Sequence, residues 1–436
     1  MHPIEEIVGL QKQGTAAGIY SCCSANEMVL LAALSRGKEH NTSVLIEATA
    51  NQVNQNGGYT GMLPADFRDY VIQLADELSF PKERLILGGD HLGPLTWCDR
   101  PEDEAMANAR ELVRQYAAAG FTKIHLDTSM RLADDDPAAR LSDETIARRG
   151  AELCEMSERA YRELLRRDPS AQPPVYIIGS EVPIPGGAQA EENSLSVTSV
   201  SDCQHTLEVF REAFAGRGLD DAWTRVVGLV VQPGVEFTES KVFAYNHDAA
   251  AQLTSYFHKC PGMVLEGHST DYQTKKALRD MVTDGIAILK VGPALTFSYR
   301  EALVALEQIE KELLGGTGVW MSNFREVLEA EMLTAPQNWN RHYHGSWLEQ
   351  KLSRTFSYSD RARYYLPQKR VGDAIDRLFK NLSDIDIPDP LVSQYMPNQY
   401  ARIRENGLEK TPRALVIDHI GDCIDTYLYA TGIIAY

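Results

Sequence analysis

Seven side chains of the types that hold metals and move protons sit in short polar phrases along this chain. They are Asp90 and His91 in Gly88-Gly89-Asp90-His91, Glu181 in Gly179-Ser180-Glu181, Gln232 in Val231-Gln232-Pro233, and His268 in Glu266-Gly267-His268, followed by Lys290 and, earlier, Asp127. Two imidazoles, a carboxylate and an open position are a common plan for a divalent-metal catalyst. His91, His268 and Glu181 supply those donors, and Gln232 adds a neutral amide oxygen. Asp90 could take or return a hydroxyl proton, and Lys290 could steady negative charge developing on an oxygen. Each of these residues taken singly also fits a hydrogen-bonded core group. For His125 and Asp127 the two readings are equally open, with Asp127 carried as a catalytic candidate.

What gathers them is where they fall. Eight short, continuous apolar segments recur at Gly18–Cys22, Ser43–Ala48, Arg84–Leu87, Lys123–Leu126, Val175–Ile178, Val226–Val231, Met263–Leu265 and Ala287–Val291. Runs without alternation are expected of parallel strands buried on both faces. Amphipathic stretches long enough for helices lie between them, including Ala65–Leu78, Glu102–Ala119, Asp143–Arg166, Asp202–Ala215, Asp248–His258, Tyr272–Thr283 and Tyr299–Leu314. The expected fold is therefore α/β, a (β/α)8 TIM barrel over residues 1–315. A helical C-terminal extension, residues 316–436, is expected to pack on it. A doubly wound open sheet is the alternative, but no GxGxxG follows any of the strands. In such barrels the C-terminal strand ends form the active-site face, and nearly every polar phrase above lies at one. Charged groups brought to one mouth without a shared purpose would cost several kcal/mol each.

The same mouth offers substrate-binding candidates: Asn26, Glu47, Asn51, Gln52, Ser269, Asp271 and Gly292. Backbone N–H groups at the Ser269-Thr270-Asp271 and Gly292-Pro293-Ala294 turns could cradle a phosphate. Arg361 and Arg363 could reach over from the extension, although a solvated or interface arginine pair fits them equally. Ile184–Val200, glycine- and serine-containing, could be a moving lid or an inert insertion.

Composition bounds the rest. The 436 residues carry 61 Asp and Glu against 43 Lys and Arg, a net charge of −18. That balance argues against a general nucleic-acid or anionic-membrane binder. The seven cysteines show no CxxC, no secretory start is visible, and no run approaches a membrane span, so a cytoplasmic protein is expected.

Several phrases carry a family resemblance: Ile46-Glu-Ala-Thr-Ala-Asn-Gln-Val-Asn-Gln55, Gly57-Gly-Tyr-Thr-Gly-Met62, Leu87-Gly-Gly-Asp-His-Leu-Gly-Pro94, Val231-Gln-Pro-Gly-Val-Glu-Phe237, His268-Ser-Thr-Asp-Tyr-Gln273 and Ile288-Leu-Lys-Val-Gly-Pro-Ala-Leu-Thr-Phe297. Together they resemble the Z-type subunit of class II D-tagatose-1,6-bisphosphate aldolase, the GatZ/KbaZ family. The resemblance implies a TIM barrel, a phosphorylated ketohexose as substrate, and a place in galactitol or N-acetylgalactosamine catabolism. It also implies a smaller catalytic Y-type subunit as partner. By the same resemblance Asp90 looks like the acid/base acting on the C4 hydroxyl, with His91 and His268 as metal ligands and Glu181 as ligating or proton-shuttling carboxylate. Gln232 departs from the pattern, standing where catalytic relatives would offer another histidine. The expected cofactor is a divalent ion, with zinc, manganese, cobalt, nickel and magnesium all open. Two roles follow: support of a Y-type aldolase, or a stand-alone 4-epimerase that interconverts D-tagatose 6-phosphate and D-fructose 6-phosphate by retro-aldol and aldol steps. A homo-oligomer is left open.

Overall fold

Val226–Val231 is buried along its whole length, and the other apolar runs are buried in the same way because both faces are covered. A computed structural model describes residues 1–180, 195–405 and 407–435. It shows eight parallel strands: β1 (Ile19–Cys22), β2 (Val44–Thr49), β3 (Leu85–Leu92), β4 (Lys123–Leu126), β5 (Val175–Ile178), β6 (Val226–Val231), β7 (Val264–Gly267) and β8 (Ile286–Val291). They follow one another in sequence order around a closed barrel, sealed where β1 pairs with β8 through Ile19 and Ile288. The expected TIM barrel is what forms. A two-residue hairpin, Glu236–Phe237 with Val242–Phe243, lies beyond β6.

Each strand is followed by a helix: Glu27–Glu39, Pro64–Glu77, Glu102–Ala118, Asp143–Arg167, Val200–Ala215, His247–Phe257, Lys275–Thr283 and Pro293–Leu314. The helix after β7 begins at Lys275 rather than Tyr272, because the Thr274 side chain accepts the Ala277 N–H and caps it there. Helix Glu27–Glu39 has no amphipathic signature in the sequence, and the structure gives the reason. Met28 to Leu34 are all buried, with the barrel on one side and helix Pro412–Ala430 of the C-terminal part on the other. Arg36 ties the two helices together through Asp418 and Asp425, each at 2.9 Å.

The barrel interior has two layers of opposite character. At the N-terminal end Ile4 and Val8 of helix Pro3–Lys12 plug the opening, packed on Ile19, Leu45, Ile86, Val175, Val264 and Ile288. Two residues further along several strands, the inward face turns polar: Glu47 after Leu45, Glu266 after Val264, Lys290 after Ile288. Period-two alternation makes each such pair share a face. Gly88 belongs to this layer, and a Cβ there would lie 2.6 Å from Glu47 Oε1, so the glycine makes room for a buried carboxylate.

The C-terminal part is helical, as expected, and its last helix packs against Glu27–Glu39, Lys275–Thr283 and Pro293–Leu314. Tyr427 from that helix meets Tyr20 of β1 with ring centroids 6.0 Å apart. No helix among the described residues is long and apolar enough to cross a membrane.

Candidate functional site

Asp90 and His91 are adjacent in sequence, and a regular strand would aim them at opposite faces. The pairing of β3 with β4 shifts register between Gly89 and Leu92, and His91 adopts a left-handed φ of 48°. That local departure lets both side chains reach the same place. There they meet His125 from β4 and His268 from the end of β7, and one donor atom from each of the four lies within 4.8 Å of all the others.

The imidazoles are oriented from behind. His91 Nδ1 is 2.7 Å from Asp127 Oδ2, and His268 Nε2 is 2.9 Å from Glu266 Oε1. The backbone N–H of His91 donates to His125 Nδ1 at 3.1 Å, and the same nitrogen lies 3.0 Å from Asp90 Oδ1. His125 Nε2 is buried with no hydrogen-bond partner. Burial pushes the His268 pKa down to about 3 and also lowers that of His125, so both rings are neutral, the form that ligates metal. Burial lowers His91 as well, but the Asp90 and Asp127 carboxylates outweigh it and raise its pKa. Burial tends to raise Asp127, yet its hydrogen bond to His91 holds it near 2.

Beneath the histidines lies a closed charge network. Lys123, fully buried, bridges Glu47 at 2.7 Å and Glu266 at 2.8 Å. Lys290 reaches Asp90, Glu47 at 2.9 Å and Glu266 at 3.6 Å. Ser21 donates to Glu47. Burial opposes ionisation of Asp90 and Glu266, but the charges of His91 and Lys290 on the first, and of Lys123 and Lys290 on the second, hold both well below the usual carboxylate range. The Lys123 and Lys290 ammonium groups face the four carboxylates of Glu47, Asp90, Asp127 and Glu266, a formal excess of two negative charges when His91 is the neutral ring a metal requires and of one when it is protonated. Oriented histidines and that excess fit a divalent cation held by His91, His125 and His268 beside Asp90.

Lys123→Met should destabilise the fold by about 3–5 kcal/mol, because it strands two buried carboxylates without their counter-charge. Denaturant unfolding measures this. A loss below about 1 kcal/mol would mean that Lys290 alone balances the network.

Above this floor opens a cleft. Asn26, Asn51, Gln52, Asp90, His91, His268, Ser269, Asp271, Lys290, Gly292 and Arg363 line it. Glu47 lies below it in the charge network, as does Asp127 behind His91. Gln232 turns elsewhere: its amide oxygen accepts the N–H groups of Gly234 at 2.8 Å and Val235 at 3.0 Å, so it holds a turn. Arg361 does not reach the cleft and sets Nη2 3.1 Å from His342 Nδ1. The expected anion cradle at the Gly292 turn is already filled. Asp271 Oδ1 accepts Gly292 N–H at 3.0 Å and Ala294 N–H at 2.8 Å, and burial pushes its pKa up to about 6 against those donors. Glu181 lies outside the described residues, as does most of the expected lid.

Cleft and network contain groups that sequence reasoning did not assign. Tyr59, from the Gly57–Gly61 loop, packs edge-on against Tyr364 at 5.1 Å, and both line the mouth. Lys123 was a visible signal, since a lysine opening a buried strand two residues before a histidine must share its face. Glu266 stands two residues before His268 in the same way.

The sequence profile of the D-tagatose-1,6-bisphosphate aldolase subunit GatZ/KbaZ-like family matches residues 4–432. A crystal structure of "a probable tagatose 6 phosphate kinase from Sinorhizobium meliloti 1021" is 45% identical, with a TM-score of 0.86, over 95% of this chain and 100% of that one. A fructose-bisphosphate aldolase from Campylobacter jejuni is 14% identical over 88% of this chain and 94% of its own, with a TM-score of 0.43. The YdjI aldolase from Escherichia coli K12 is 11% identical over 89% and 99%, with a TM-score of 0.41.

Proposed function

For a chain that belongs to the GatZ/KbaZ-like family of D-tagatose-1,6-bisphosphate aldolase subunits, we propose a divalent-metal-dependent aldol reaction on a phosphorylated ketohexose, carried out in its own cleft. The observation that carries this reading is the convergence of Asp90, His91, His125 and His268 on one point at the floor of that cleft. A cation held there would supply an electrophile for the C2 carbonyl.

The chain's own groups account for the protons. Asp90, held ionised beside Lys290, accepts the C4 hydroxyl proton as the C3–C4 bond breaks. C4 becomes an aldehyde, and the bonding pair passes to the ketone fragment as an enediolate. The Lys290 ammonium, which lines the cleft, would offset the negative charge that gathers there. Re-addition to the opposite aldehyde face, with the proton returned from Asp90 to the C4 oxygen, inverts C4 without net cleavage. Fragment release instead gives aldolase activity. Retention of both fragments corresponds to the 4-epimerase reading that relates tagatose and fructose 6-phosphates.

A second reading has its own support. The family description is of a subunit, and helix Trp347–Phe356 exposes Trp347, Leu348, Leu352 and Phe356 along one side. A Y-type aldolase subunit seated nearby would make this chain its support. One experiment separates the two. The isolated protein, supplied in turn with magnesium, manganese, cobalt, nickel and zinc, is incubated with D-tagatose 6-phosphate and followed by carbon-13 NMR. Fructose 6-phosphate or triose products appear if the chain works alone. Turnover that appears only after a Y-type subunit is added would overturn that reading. A parallel sample with ATP covers the phosphoryl transfer that the name of the Sinorhizobium protein indicates.

A further inference from the structure

We propose that Asp271 restricts this cleft to a ketose bearing a single phosphate, because its carboxylate already occupies the helix N-terminus that a second phosphate would need. The inference rests on the ketohexose-phosphate reading above and narrows it.

A bisphosphate requires two anion receptors. In barrels of this type one of them is commonly built from the loops after the seventh and eighth strands and a helix N-terminus. Here that turn leads into helix Pro293–Leu314, and its Gly292 and Ala294 N–H groups both donate to Asp271 Oδ1. Asp271 is 3% exposed and lines the cleft. A phosphate arriving there would find the donors taken and a like charge in contact. A hydroxymethyl end suits the same place, since a hydroxyl can donate to a carboxylate.

The cations lead to the same count. Lys290 and Arg363 are the lysine and arginine among the described residues that line the cleft. Lys290 is committed to Asp90, Glu47 and Glu266. Arg363 donates to neutral groups: the Ser359 carbonyl, the Asp360 carbonyl at 3.0 Å and the Tyr364 hydroxyl at 3.0 Å. The Asp360 carboxylate is hydrogen-bonded instead by Arg300 at 3.0 Å and Thr296 at 2.7 Å. One guanidinium with no carboxylate in ion-pair range among the described residues, stacked 4.5 Å over Tyr364, is a receptor for one phosphate.

Calorimetry on the full-length, magnesium-loaded protein tests this with D-tagatose 6-phosphate and D-tagatose 1,6-bisphosphate. The wild type should bind the monophosphate at least ~10-fold more tightly, since a like-charge contact is strongly unfavourable. Asp271→Asn keeps an oxygen to cap the turn and removes the charge, and should bring the two affinities to within about 3-fold. Equal affinities in the wild type, or an unchanged ratio in Asp271→Asn, would overturn the proposal. A separate readout is the number of inorganic phosphates bound, by equilibrium dialysis. Asp271→Ser frees the turn and should bind one more phosphate than the wild type, and Arg363→Met one fewer. If neither sugar phosphate binds, the ketohexose reading fails, and the phosphate count still decides the role of Asp271: no gain in Asp271→Ser refutes it.

Discussion

Asp90→Asn should reduce turnover of the sugar phosphate by about 10³-fold or more while the protein stays folded and metal-loaded. The carboxylate is 2% exposed, touches Lys290, and lies 3.0 Å from His125 Nδ1. Asparagine keeps the shape and loses both the charge and the ability to accept a proton. Because Asp90 also stands among the four metal-type donors, the assay needs metal content measured beside it. Lost turnover with a full complement of metal assigns Asp90 to proton transfer. Lost metal would make it a ligand first, and retained turnover would remove it from the reaction. Substrate affinity should move far less than the maximal rate, since the proton moves only in the transition state. A melting curve guards against the trivial outcome, because the amide would point a donor at the Lys290 ammonium.

The barrel was legible because its strands are buried on both faces, and such runs stand out against amphipathic helices. All eight strands overlap the segments read from sequence, although β3 runs five residues past its segment to Leu92 and β7 two residues past its own to Gly267. What escaped was local. Helix Glu27–Glu39 is covered on two sides by the barrel and by Pro412–Ala430, a contact made across almost 400 residues, so no polar face marked it. At the site, the strand-end rule brought Asp90, His91, His268 and Lys290 to one mouth. It could not decide His125, since alternation alone does not fix which face of a strand looks inward. Lys123 settles that question once its bonds to Glu47 and Glu266 are seen, because His125 two residues on must share its side. Gln232 ends its strand as the rule requires, yet its amide is drawn back onto Gly234 and Val235, the kind of local hydrogen bond that a strand-end pattern does not register. The Gly292 turn shows the reverse case: its N–H groups, expected to cradle a phosphate, donate to the chain's own Asp271.

Metal content across a series of histidine variants should divide the candidates sharply. Wild-type protein dialysed against a divalent ion should retain about one equivalent, and His91→Ala, His125→Ala and His268→Ala should each lose it, with affinity falling by more than the ~10–100-fold typical of outer-shell changes. Gln232→Ala should retain it, because that amide serves the turn after β6 and not the four-residue cluster. The same logic grades the supporting carboxylates. Asp127→Ala removes the partner of His91 Nδ1, and Glu266→Ala that of His268 Nε2, so each should weaken binding by about 10–100-fold without abolishing it. Plasma emission analysis of the dialysed proteins gives the stoichiometries, and competition with a chelating dye gives the affinities. Equal metal in the wild type and in all three alanine variants would show that the imidazoles serve only the fold. Loss in Gln232→Ala alone would move the centre to the end of β6. Loss of metal from the histidine variants, with Gln232→Ala unaffected, would tie the cation to side chains from β3, β4 and β7, the arrangement that the left-handed turn at His91 makes possible.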